Sequence, residues 1–325
     1  MRPMSKIINL STRNLRYLLY VALALLIIAP WFLNPYKIHV LNTVIINVIV
    51  ILALNLVMGY AGQFAKANVA FMGLGAYTMG LLMTRADISF WLAWPAGALF
   101  AALAGTLVAL PTFRLKGLYL SIMSISFVLI VHWSFIHLRW VTGGASGFPV
   151  PTPNFGLLPI ERGHGVYFIS LLAMFAALWV MRNMVASSFG RSLLCLAERE
   201  IIAPGFGINV FRTKVTVYTI SGLFAGFAGG LQAINLQFVD PESYWLLQVV
   251  NQLLMVALGG VGSILGSILG ASFITVLIEA LRVFKSLWEF AIGTLLLITI
   301  IFFPRGLAGI LENWFPNIRE RRHGP

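Results

Sequence analysis

Apolar residues recur along this chain in long runs separated by short polar stretches. The runs fall at about 17–34, 38–58, 68–84, 90–110, 118–138, 166–184, 213–237, 247–258, 264–281 and 287–303. A helix crossing a bilayer needs about 20 predominantly apolar residues. The pattern therefore predicts an all-α polytopic membrane protein with about ten transmembrane helices. The eighth run is only 12 residues long before Gly259, Gly260 and Gly262, which predicts a broken or re-entrant helix there.

The positive charges test this division. Of the 22 Lys and Arg residues, Lys37, Arg85, Arg139, Arg162, Arg282 and Lys285 fall in segments that ten crossings from an inside N-terminus would place outside. The other sixteen fall inside, where Lys and Arg concentrate. Both termini are thus expected in the cytoplasm. A single crossing over 247–281 would reverse the last helix and put its basic tail outside, which argues for a hairpin. Arg2, Lys6, Arg13 and Arg16 precede the run Tyr17–Leu33, which is too long for a signal core and lacks a clear cleavage site. It reads as the first span.

Composition agrees. Charged residues make up 10% of the 325 positions and apolar residues 59%, against about 25% charged in soluble proteins. One membrane domain, 1–325, is expected, with a cytoplasmic N-terminal segment 1–16 and a cytoplasmic tail 304–325. The net charge of +12 sits in clusters between apolar runs, without the basic stripe of a nucleic-acid-binding domain. The single Cys195 rules out an internal disulfide and a cysteine metal cluster.

Two connections are long. The outer one, about 139–165, holds Thr142 to Gly147 and then Pro149, Pro151, Pro153 and Pro159, a composition that favours turns and extended chain. In the inner one, about 185–212, Ser192 is placed to cap a helix running from Leu193 to Ile202, ended by Pro204, Gly205 and Gly207. A short amphipathic helix on the cytoplasmic face is expected.

Little in the chain points to catalysis. It has no phosphate-cradling Gly-x-x-x-x-Gly-Lys-Ser/Thr loop, no metal spacing among its histidines and no nucleophile elbow. A transporter subunit, not an enzyme, is expected, with no cofactor of its own. Gln248, Asn251 and Gln252 stand at i, i+3 and i+4, three amides on one helix face. They either bond across a helix interface or line a wet cavity. Ser121 and Ser124 in the fifth run, Asn47 and Asn55 in the second, and Gln63 beside Gly62 are further candidates for a solute path. The dense glycines allow close helix packing. Those at Gly59–Gly62 and Gly259–Gly262 also fit helix breaks beside such a path. Glu279, three residues before Arg282, is placed to pair with it near a helix end. An ion-coupled carrier would need a carboxylate nearer mid-membrane. That carrier, or a passive channel, is the alternative to an ATP-driven importer.

The motifs Gly59-Tyr60-Ala61-Gly62-Gln63, Ala70 to Tyr77, Arg114 to Leu120, Thr142 to Gly147, Phe189-Gly190-Arg191, Glu198-Arg199-Glu200, Leu258 to Gly266 and Phe303 to Leu307 follow one another in order. In them the chain resembles the permease subunits of branched-chain amino acid ABC transporters, of the M type, over about residues 40–312. Ala65-Lys66-Ala67 departs from the family's usual Ser-Leu-Gly, and Pro204-Gly205 replaces a helix-forming pair. The resemblance implies an importer of the bacterial cytoplasmic membrane. A second homologous permease, two ATPase subunits binding ATP and Mg, and an extracytoplasmic solute-binding protein would be its partners. It also implies that Arg191, Glu198, Glu200 and Gly207, within the loop 185–212, couple to the ATPases. Relatives move urea, short amides and aromatic carboxylates as well as amino acids, so the solute stays open.

Overall fold

Pro35 opens the first long helix in its first turn, where a missing backbone N–H leaves no helical bond unmade. From there the apolar runs become helices. The computed structural model describes residues 29–112, 114–115, 117–153, 162–198, 200–281, 293–294 and 306–309. Its longer helices are α1 (Pro35–Asn55), α2 (Asn68–Arg85), α3 (Phe90–Thr112), α4 (Leu118–His137), α5 (Arg162–Ala186), α6 (Ser188–Glu198), α7 (Val210–Leu236), α8 (Leu246–Gly259) and α9 (Ile264–Leu281). Among the described residues six helices, namely α1 with its extension to Tyr60, α3, α4, α5, α7 and α9, are long and apolar enough to cross a membrane. The protein is an all-α membrane protein. The eighth run is a helix of 14 residues, as its length foretold. The expected spans 17–34 and 287–303, the N-terminal segment and the tail lie wholly or largely outside the described residues. At the end of the first of these, Trp31 packs against His164 and Phe168 of α5.

The centre is built by small residues. α2, α3 and α7 pack against one another most extensively. A methyl group on Gly75 would lie 2.4 Å from Gly226 Cα, and one on Gly222 2.5 Å from the Ala101 carbonyl oxygen. Backbones that close leave no room for a side chain, which is how membrane helices gain contact where no hydrophobic drive exists between them. α3 and α7 run antiparallel. Trp94 near the start of α3 donates Nε1–H to the Phe227 carbonyl at 2.9 Å, and Thr112 at its end meets Lys214 at the start of α7. α1 runs beside this trio, also antiparallel to α7, with Asn42 Nδ2 donating to Asn235 Oδ1 at 2.8 Å.

One end of the bundle is closed by a clasp. The connection after α4 forms a single α-helical turn at Arg139–Thr142, where turns and extended chain were expected, and then a 3₁₀ turn at Gly144–Ser146. It then forms β1 (Phe148–Pro149), paired antiparallel with β2 (Phe238–Val239), Phe148 opposite Val239. Beneath it Tyr77 of α2 stacks on Phe135 of α4 at 3.9 Å, with Phe148 and Tyr244 edge-on. The other end carries α6.

One expectation changes. Ser192 does not cap the inner helix: α6 begins at Ser188 and ends at Glu198, and the Ser192 hydroxyl bonds back to the Ser188 carbonyl at 3.2 Å from inside it. Gly190, in the first turn of α6, lies so close to the end of α5 that a Cβ there would be 2.1 Å from the Val185 carbonyl oxygen. Pro204 and Gly205 lie in a separate 3₁₀ turn, Ala203–Phe206, ended by Gly207 with φ +74°. Glu279 accepts a hydrogen bond from the Tyr36 hydroxyl across α1 and α9, while Arg282 lies outside the described residues.

Candidate solute path and coupling element

α1 does not simply end. After Asn55 it widens into a π turn, Leu56–Tyr60, and the chain then runs without regular structure through Gly62 to Lys66 before α2 begins. Gly62 takes φ +64°, which a side chain would strain. The glycine turn between α8 and α9 comes to meet this break. A Cβ on Gly59 would lie 2.4 Å from Gly262 N.

Asn55 joins the two breaks. Its side chain is fully buried, its Nδ2 donates to the Ser263 carbonyl at 2.9 Å and to Ser267 Oγ at 2.8 Å, and its Oδ1 accepts the Gly262 N–H at 2.8 Å. One amide thereby satisfies the start of α9 and ties it to the end of α1. Backbone groups at a helix break need such partners in a membrane.

Ser121 and Ser124 secure the same break from α4. Ser121 Oγ donates to the Phe64 carbonyl at 2.8 Å, and Ser124 Oγ accepts the Lys66 N–H at 3.0 Å. Gln63 is buried within it and reaches the Ala61 carbonyl at 3.5 Å. Asn47 lies elsewhere, donating to Thr275 Oγ1 at 2.9 Å between α1 and α9.

The amide face of α8 divides. Gln252 is buried and engaged, its Oε1 accepting from Asn68 Nδ2 at 3.0 Å. Asn68 also donates to the Val50 carbonyl at 3.2 Å, and Ser221 donates to the Ala53 carbonyl at 2.9 Å, so one polar node links α1, α2, α7 and α8. Asn68 and Ser221 did not stand out in the sequence, since a lone Asn at a helix start and a lone Ser in an apolar run have many bland uses. Asn251 instead donates to Gln248 Oε1 at 3.4 Å. Separately, an apolar cavity of about 520 Å³ lies between α1, α3, α5 and α7, lined by residues such as Ile49, Pro95, Ala177 and Phe224. It offers a polar solute almost nothing to bond.

At the opposite end, α6 buries Gly190, Leu193 and Leu196 and exposes Arg191 and Glu198. Its last turn presses on the break in α1, with Ala197 Cα 2.8 Å from where a Cβ on Gly62 would stand. Glu200, unlike Glu198, is half-buried. It pairs at 3.0 Å with Lys214, which is buried and also donates to the Thr112 carbonyl at 3.1 Å.

The match to known proteins fits this architecture. Residues 37–301 match the family described as "Branched-chain amino acid transport system / permease component". The chain belongs to this permease family. It is 33% identical over 315 residues, 89% of this chain and 74% of the relative, to the high-affinity branched-chain amino acid transport system permease protein LivM of Escherichia coli (strain K12). The autoinducer 2 import system permease protein LsrC of Escherichia coli (strain K12 / DH10B) is 23% identical over 93% of this chain and 90% of its own length. The ribose import permease protein RbsC of Bacillus subtilis (strain 168) is 29% identical over 46% of this chain and 49% of its own length. No solved structure matches. As a member of the family the protein is a transmembrane permease, and its named relatives are transporter subunits.

Proposed function

We propose that this permease is one of two membrane-spanning subunits of an ATP-driven importer in the bacterial cytoplasmic membrane. It moves branched-chain or related amino acids, or similar small polar solutes, handed over by an extracytoplasmic binding protein. A second homologous permease completes the path, and two ATPase subunits bind and hydrolyse ATP with Mg. The chain crosses ten times with both termini cytoplasmic, and the end that carries α6 faces the ATPases.

The contact of α6 with the broken connection between α1 and α2 carries this reading. α6 has one apolar face seated on the bundle and one charged face, Arg191 and Glu198, turned outward. A compact helix docked on a partner moves as a unit. Displacing its last turn displaces Gly62, and with it the segment that Ser121 and Ser124 hold and the Gly262 turn that Asn55 holds. ATP-driven motion below thereby reaches the polar interior above. Arg191 and Glu198 orient docking more than they add affinity, since exposed ion pairs contribute about 0–1 kcal/mol.

The test is uptake into proteoliposomes holding this chain with its partner permease and ATPases, supplied with binding protein and ATP. Uptake needing every component supports the importer, whereas uptake by this chain alone overturns it. Glu198→Lys should uncouple ATP hydrolysis from uptake with thermal stability intact. Wild-type uptake and ATPase stimulation in that variant would show Glu198 to be ordinary solvated surface.

A further inference from the structure

Two buried polar atoms, one on α4 and one on α8, stand unmet. His132 of α4 and Asn251 of α8 are each 7% exposed, and His132 Nε2 and Asn251 Oδ1 have no hydrogen-bond partner. An unmet polar atom in apolar surroundings is costly and calls for a reason. His132 meets the helix that carries Asn251 at the residue that caps it. The His132 ring lies 4.0 Å from that of Trp245, the residue that opens α8, and Asn251 follows six residues later, about 9 Å along the helix at 1.5 Å per residue. Gln248 stands between them and takes the Asn251 Nδ2 donor, which leaves Oδ1 as the open acceptor. Gln252, one residue on, has its partners already.

We infer that His132, Trp245, Gln248 and Asn251 form a solute-binding station between α4 and α8 for a small molecule bearing N–H donors on an apolar body, such as a free amino acid. The station rests on the importer reading and adds to it the residues that hold the solute. Asn251 Oδ1 accepts from the solute's ammonium, His132 Nε2 meets its second polar group, and the Trp245 ring packs on its apolar part. In the conformation described the His132–Trp245 contact shuts the station at the clasped end, and a solute enters when these rings part. The apolar cavity between α3 and α5 cannot serve in its place, because ammonium and carboxylate groups need partners it lacks.

Shape-preserving substitutions separate this role from mere packing. His132→Phe keeps a ring against Trp245 and Asn251→Leu keeps the side-chain volume, and both remove the unmet atoms. If those atoms were only packing defects, removing them would leave the protein as stable or more so and transport unchanged. The experiment measures ATP-driven uptake of radiolabelled leucine by the complete transporter in proteoliposomes, at saturating leucine-loaded binding protein. The station predicts at least a fivefold fall in uptake in each variant, with complex assembly and thermal stability unchanged. Asn251→Ala, which removes the acceptor without adding bulk, gives the same readout should the leucine variant fail to assemble. Wild-type uptake in the assembled variants overturns the station and leaves the importer standing. Failure of the wild-type transporter to take up leucine overturns the amino-acid reading and the station together.

Discussion

Lys214 Nζ lies 3.0 Å from Glu200 Oε1, with the lysine side chain 1% and the glutamate side chain 19% exposed. Lys214 lies near the start of α7, Glu200 follows α6, and the Thr112 carbonyl that Lys214 also holds ends α3. One cation thus gathers three chain segments at the end that carries α6. Losing one partner of a buried pair leaves a charge uncompensated, a cost of about 3–5 kcal/mol. Glu200→Ala should therefore lower the thermal unfolding midpoint in detergent clearly. Glu200→Ala combined with Lys214→Met should recover most of the loss. A double variant no more stable than the single one would show that the pair does not act as a unit.

A second expectation concerns the joined breaks. Gly59→Ala would drive its methyl to 2.0 Å from Asn55 Oδ1 and 2.4 Å from Gly262 N, forcing the two breaks apart. Asn55→Leu would leave the Gly262 N–H without its acceptor, and each buried group so abandoned costs about 1–3 kcal/mol. Both variants should unfold at lower temperature than wild type, Gly59→Ala the more severely. Limited proteolysis should then cut near residues 61–66 or 260–263, and wild-type resistance there would refute the joint.

These particulars mark how far the sequence can be read. Runs of apolar residues fix helix positions to within a few residues, because crossing a bilayer is a one-dimensional requirement. Both glycine breaks were legible for the same reason: polar and flexible residues inside an apolar run mark the place where a helix gives way. That Asn55 would join those breaks was not legible, since its partners lie more than 200 positions away. Glu200 shows the opposite case. Beside Glu198 it looks solvated, and only the fold reveals the buried lysine that claims it. Ser192 misled because a cap-forming residue also sits comfortably inside a helix when its hydroxyl bonds back four residues.

Glycine positions supply a third test with an internal control. Gly226→Leu should abolish the monodisperse folded species on size-exclusion chromatography, because even a Cβ there would lie 2.6 Å from Ala101 Cβ and 2.9 Å from Ala98 Cα. Gly205→Ala meets nothing within 4 Å and should change stability by less than about 0.5 kcal/mol. Equal behaviour of the two would contradict the close packing of α3 on α7.

Orientation can be measured directly. Ser146 is exposed in the turn before the clasp, and Cys195 is the single native thiol. In a Cys195→Ser background, Ser146→Cys should react with a membrane-impermeant maleimide added to intact cells, and Arg191→Cys only after permeabilisation. The reverse pattern would invert the proposed topology.

The backbone contact among α2, α3 and α7 has a mechanical corollary. Helices that touch through glycine and alanine interlock like cut stone, with no flexible side chains between them to absorb sliding. They are suited to be the stator of a moving machine. In an 18-residue apolar stretch of α7, 72% of the residues are buried within the chain, against 33% in α4 and in α9. The serines that hold the first break and the turn that meets it are then carried at the rim of that hub, not within it.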